Sequence, residues 1–259
     1  MTMDKKQMAE SWVLCSFSPT GTTLAVARAL GEGSGCRTRE LDLTRADFIP
    51  QLGEEELLLV AVPVYAGRVP QLAVERLGRL QGAGQQAVAV VVYGNRAYDD
   101  ALLELQRTLE GRDFKVVAAA AFIAEHSIAR EIGAGRPDAE DLQLAHSFAQ
   151  AVVAKQAAGK EQAPQVPGQE PYVEPKQAPF HPLADDSCSG CGLCAAACPA
   201  GAIPVEQPQQ TLGDKCINCM RCVKLCPVGA RALPQPFREA VSKMLAQTAA
   251  GYKKPEFFL

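Results

Sequence analysis

The feature that most restricts this chain is a cysteine pattern written twice. Residues 188–199 read CSGCGLCAAACP and residues 216–227 read CINCMRCVKLCP, each spaced C-x2-C-x2-C-x3-C-P, an internal repeat with a period of 28 residues. Three thiolates two residues apart can wrap one face of an iron-sulfur cubane, while the fourth, set off by three residues and turned by proline, reaches a different cluster. The spacing therefore predicts two 4Fe-4S centres with crossed ligation: Cys188, Cys191, Cys194 and Cys226 for one, and Cys216, Cys219, Cys222 and Cys198 for the other. Paired zinc sites are the competing reading, but zinc closes with four ligands and leaves triple C-x2-C-x2-C runs followed by Cys-Pro without a reason. A segment of about fifty residues with little apolar content would draw its folding energy from the metal-ligand bonds.

This segment resembles a bacterial two-cluster ferredoxin, matching all eight ligand positions and both prolines. The resemblance implies a small α+β domain that carries single electrons at low potential. Its charges balance at four acidic and four basic between Asp185 and Arg231, so it lacks the acidic surface of some free ferredoxins.

The remainder has a different texture. From Ser11 to about Gly159, short β-branched runs alternate with stretches of helical period, as a parallel sheet with crossover helices requires. Five strands are legible: Trp12–Phe17, Thr38–Leu43, Leu57–Val62, Ala87–Tyr93 and Lys115–Ile123. The unbroken apolar runs LLLVAV and AVAVVVY belong to strands buried on both faces, hence central. Ala73, Leu77 and Leu80, then Leu102, Leu105 and Leu109, then Leu142, Ala145, Ala149 and Val152 repeat at helical spacing, with Pro137 expected in the first turn of the last helix. Residues 159–184 hold six of the 18 prolines and read as an extended linker. After the cysteine repeat, Pro236 opens a helix whose Phe237, Val241, Met244, Leu245 and Thr248 line one face, expected to dock on its own neighbours.

Strand one runs into a helix through Ser18-Pro19-Thr20-Gly21-Thr22-Thr23. Hydroxyls at Ser18, Thr20, Thr22 and Thr23, with bare amides around Gly21, crowd the positive end of that helix, where an anion is stabilised. No Lys or Arg lies in the loop, so it suits a phosphate monoester held by neutral donors; neither a Walker ending nor a G-x-G-x-x-G fingerprint is present. The loop resembles the flavodoxin signature S/T-x-T-G-x-T, with Ser18, Thr20, Gly21 and Thr23 in the matching places. That resemblance implies that the loop holds the phosphate of FMN, and that loops after strands three and four clasp the isoalloxazine at the switch point of the sheet. The first supplies Val64, Tyr65, Ala66 and Gly67, the second Gly94, Asn95, Arg96 and Tyr98, with both tyrosines able to stack on or edge the flavin. Arg68 can face the pyrimidine edge or solvent, His126 is a loop histidine before it is a proton donor, Cys15 is core packing and Cys36 has no partner motif.

With 26 basic against 29 acidic residues the net charge is -3, which gives no field to attract nucleic acid. No apolar run reaches the roughly 18 residues of a spanning helix, and the opening residues lack a signal-peptide core, so a cytoplasmic location is expected. There, ten cysteines argue for metal or redox chemistry over disulfides. As a whole the chain resembles the flavodoxin-ferredoxin fusion proteins of anaerobic metabolism. The implied organisation is a flavodoxin-like FMN domain over residues 1–158 on a doubly wound five-stranded parallel sheet, a linker over 159–184, a two-cluster ferredoxin-like domain over 185–235, and a helix and tail over 236–259. The expected function is electron transfer between FMN and two 4Fe-4S clusters, serving redox protein partners, with no catalytic residue assigned. The alternative is an FMN-dependent oxidoreductase acting on NAD(P)H or a small organic substrate.

Overall fold

The computed structural model describes residue 9 and residues 11–48, 51–175 and 179–259; the opening residues 1–8, part of the stretch on which the absence of a leader was argued, lie outside the described residues. Five parallel strands appear where the apolar runs place them: β1 (Ser11–Ser16), β2 (Arg37–Asp42), β3 (Glu56–Pro63), β4 (Gln86–Tyr93) and β5 (Lys115–Ile123). Between and after them come α1 (Thr22–Ser34), α2 (Gln71–Leu77), α3 (Ala101–Glu110) and α4 (Ala139–Ala157). The parallel order β2-β1-β3-β4-β5 is the doubly wound one, with a switch point between β1 and β3.

Alternation along each strand divides the core in two. Val13, Cys15, Val60, Val91 and Ala121 face α2 and α3 through Ala73, Leu77, Leu102 and Leu105, whereas Trp12, Leu14, Leu59, Val90 and Phe122 face α1 and α4 through Val26, Leu30, Ala145 and Ala149. β3 and β4 are buried along nearly their whole length because helices cover both faces. Pro137 stands one residue before the N-cap and so outside the first turn expected for it: Asp138 is the N-cap of α4, its side chain and that of Asp141 completing a capping box.

The sheet has a sixth strand. β8 (Glu256–Phe258) pairs antiparallel with β5, and Phe257 stacks on Phe148 with centroids 4.9 Å apart. Short apolar tails of three residues carry no periodicity, which is why the five-stranded expectation omitted it.

The proline-rich segment packs against the sheet domain. Asp100 accepts from the amides of Gln169 (3.1 Å) and Val173 (2.7 Å), Arg68 donates to the Val173 carbonyl at 2.8 Å, and its guanidinium lies 4.8 Å from the Tyr172 ring centroid. Beyond it, β6 (Leu183–Ala184) and β7 (Arg231–Ala232) form a two-stranded antiparallel sheet that frames two single-turn helices, α5 (Leu193–Ala196) and α6 (Arg221–Leu225). The apolar cluster here is small, with Cys194, Ala195 and Ile203 buried together and Cys198 and Cys222 against them. Last comes α7 (Gln235–Thr248), which docks on the segment after β5 through Val241, Leu245 and Ala249 against Ala129 and Ile132, whereas Phe237, Met244 and Thr248 of the expected face are exposed, because the contact covers only the last half of the helix.

Candidate functional site

A cleft of about 100 Å3, open to solvent, lies at the carboxyl ends of β1, β3, β4 and β5. Thr20, Thr22 and Thr23 from the first loop, Val64, Tyr65, Ala66 and Gly67 from the second, and Gly94 and Arg96 from the third line it together. These are nine of the residues expected to hold FMN.

The first loop is shaped by Gly21, whose φ of 91° only glycine adopts easily, and by Ser18 Oγ, which accepts from the Leu24 amide at 2.9 Å. Ser18 therefore caps α1 and does not line the cleft. Gly21, at the turn, does not line it either. Among the described residues the amides of Thr22 and Thr23 have no acceptor, leaving donors at the positive end of α1.

Ala66 and Gly67, with φ of 51° and 82°, form a tight turn closed by paired hydrogen bonds between Tyr65 and Arg68. A Cβ on Gly67 would lie 2.5 Å from Asp99 Oδ2, and one on Gly94 would lie 2.5 Å from His126 Cδ2. Both glycines are thus demanded by the packing of the cleft loops on one another.

Asn95 and Tyr98 do not face the cleft. Asn95 Nδ2 donates to the carbonyls of Ala249 (2.7 Å) and Gly251 (3.0 Å), and Tyr98 is buried edge-on against Tyr93 with its hydroxyl 2.9 Å from Glu256 Oε2. Tyr98 thus holds the strand Glu256–Phe258 and Asn95 the turn that follows α7, partners far away in sequence. Arg68 pairs with Glu104 at 2.8 Å and is likewise turned away from the flavin edge considered for it.

Wall residues outside the expected set include Tyr93, Glu125 and His126. Burial pushes His126 down to about 4, so its imidazole is neutral at pH 7. Its Nδ1 accepts from the amides of Ile128 and Ala129, both at 3.2 Å, which puts the proton on Nε2.

The eight repeat cysteines divide into the two expected sets. Cys198, Cys216, Cys219 and Cys222 border one cavity, and Cys188, Cys191, Cys194 and Cys226 border another. Each set lines a cavity of its own, where a thiolate-ligated cluster would sit. Burial pushes Cys219 up to about 12 and Cys222 to about 11; iron ligation is what would hold them as thiolates at neutral pH. Cys226 differs. Burial opposes its ionisation, yet backbone N–H groups of Arg231, Val228, Ala230 and Gly229 hold its thiol below the usual range.

The Cys198/216/219/222 set abuts the sheet domain. Arg221 donates to Thr44 Oγ1 at 2.7 Å, Arg76 to the Pro199 carbonyl at 2.6 Å, Ile217 packs on the sheet core, and Lys224 reaches the carbonyl of Thr20 in the first cleft loop. The cation missing from that loop in the sequence thus arrives from 204 residues away. Tyr65 spans the junction: it lines the cleft, and burial followed by the charge of Cys219 pushes its phenol well above the ordinary range.

Residues 187–230 match the model of the 4Fe-4S dicluster domain. The fold before that match, with its parallel order β2-β1-β3-β4-β5, is flavodoxin-like. Solved structures similar to the flavodoxin-like part include a flavodoxin from the domain Archaea, 14% identical with a TM-score of 0.38 over 56% of this chain and 97% of that one. Others are the rubredoxin oxygen:oxidoreductase of Desulfovibrio gigas (15%, TM-score 0.44, 60% of this chain and 38% of that one) and the flavodiiron protein of Giardia intestinalis (17%, TM-score 0.41, 60% and 38%). No curated protein sequence matches the chain. Among the described residues no helix is long and apolar enough to cross a membrane.

Proposed function

We propose that this flavodoxin-like and iron-sulfur electron-transfer protein works between FMN in the cleft and two 4Fe-4S clusters, passing electrons to or from a redox protein in the cytoplasm. Bound FMN would exchange one or two electrons and each cluster one, which lets a two-electron event be divided into single steps. The observation that carries this reading is the contact between the cysteine module and the cleft, where Lys224, between two ligand cysteines, donates to the carbonyl of Thr20 in the cleft wall.

The residues fit these groups. Thr22 and Thr23 offer unsatisfied amides to a phosphate at the start of α1, and Lys224 adds a cation beside them. Tyr65 and Tyr93 supply aromatic wall, Gly94 lets His126 close against it, and Arg96 lies at the rim. His126 is set to donate from Nε2 and, neutral at pH 7, to bring no charge into the cleft. Cys198, Cys216, Cys219 and Cys222 would hold the cluster nearer the flavin, and Cys188, Cys191, Cys194 and Cys226 the outer one, where Cys191 and Leu193 are exposed.

The test is anaerobic stopped-flow mixing of the loaded protein with a reduced low-potential donor, followed at cluster and flavin wavelengths. Both chromophores are expected to reduce, in sequence. A flavin that stays oxidised beside reduced clusters overturns the reading, and colourless or zinc-loaded protein removes its premise.

A further inference from the structure

We propose that Arg231 is the buried countercharge of the two-cluster centre and that its guanidinium raises the reduction potential there. The inference rests on the cluster reading above. Arg231, on β7, is 2% exposed and forms part of the wall of the cavity bordered by Cys188, Cys191, Cys194 and Cys226. Its Nη1 donates to Thr211 Oγ1 at 2.8 Å and to the Pro182 carbonyl at 3.5 Å, while Nη2 donates to the carbonyls of Gln210 (2.9 Å) and Pro208. Every one of these acceptors is neutral.

Arg136 provides the contrast, being equally buried but paired with the carboxylate of Asp141. Arg231 has no carboxylate in ion-pair range among the described residues, and its Nε is buried with no acceptor. A guanidinium out of water without an anion is costly, and a buried N–H without an acceptor adds to that cost. The anion missing from the protein is the one a thiolate-ligated cluster brings.

When a cluster takes one electron from an external one-electron donor, no bond is made or broken and the centre gains one negative charge. A fixed cation beside it stabilises the reduced form more than the oxidised form, and local charge and hydrogen bonds to sulfur are known controls of cluster potential.

The experiment is a redox titration of the loaded full-length protein followed by electron paramagnetic resonance, comparing wild type with Arg231→Gln, Arg231→Lys and the surface control Arg28→Gln. Arg231→Gln is expected to disfavour reduction of at least one cluster about tenfold, a fall of 59 mV for a one-electron step. Arg231→Lys, which keeps the charge, is expected to recover most of that fall, and Arg28→Gln to leave both potentials in place. Potentials in Arg231→Gln within threefold of wild type at both clusters overturn the proposal, as does an Arg231→Lys protein that falls as far as Arg231→Gln. Should Arg231→Gln not retain iron, Arg231→Lys decides: loaded protein with near-wild-type potentials supports the proposal, and failure to load overturns it in favour of a purely structural role. Wild-type protein without iron would instead strike the cluster reading itself.

Discussion

The sheet domain and the cysteine module are built on opposite principles. The sheet domain sandwiches β3 and β4 between two helical layers, with Leu57 to Val62 and Ala87 to Val91 excluded from water. The module gathers Cys194, Ala195 and Ile203 into a small cluster, buries few others such as Ala202, Met220 and Ala230, and exposes Leu193, Leu225 and Val228. Burying a Leu or Val side chain is worth about 1.5–3 kcal/mol. The first region can therefore fold on its apolar surface alone, whereas the second needs its metal. The lesson is one of function as well as stability: a cofactor that is also the keystone of its fold cannot leave without dismantling its surroundings, while a cofactor in the cleft of a finished sheet can.

Iron removal should expose this contrast most strongly. Anaerobic chelation is expected to abolish hydrogen-exchange protection across residues 185–233 while the amides of β3 and β4 stay protected; equal loss in both regions would break the comparison. Next in size is Leu59→Ala, which opens a hole in the fully buried helix-facing layer and should cost roughly 2–5 kcal/mol in denaturant unfolding of the sheet domain, leaving iron content unchanged. The smallest effect falls where the regions meet. Lys224→Met removes the cation that the module lends to the first cleft loop and should weaken FMN binding by about 1 kcal/mol, roughly fivefold, measured by flavin fluorescence on titration. An unchanged affinity there would mean that the two regions share a surface but not a binding site.

What was readable in the residues follows the same division. β3 and β4 announced themselves because burial on both faces forces unbroken apolar runs, and the cysteine sets because cluster geometry dictates spacing. Features that depend on distant partners were silent. Tyr98 and Asn95 sit in a loop that looks like a flavin clasp, yet both are recruited by the carboxyl terminus, through Glu256 and through Ala249 and Gly251. Lys224 reads as one charge between two ligands, and nothing in its surroundings marks Thr20 as its acceptor. Arg231 follows the second Cys-Pro without any motif, and only its burial beside neutral acceptors sets it apart.

The return of the chain to β5 as β8 changes what kind of attachment the iron-sulfur part has. Fastened before by the proline-rich strap on Asp100 and after by Phe257 against Phe148, it is spliced into the larger domain's architecture instead of hanging from its end. A truncation that removes the clusters by cutting after residue 184 would also strip the sheet of its border strand and bare the hydrogen-bonding edge of β5, an invitation to pair with another copy.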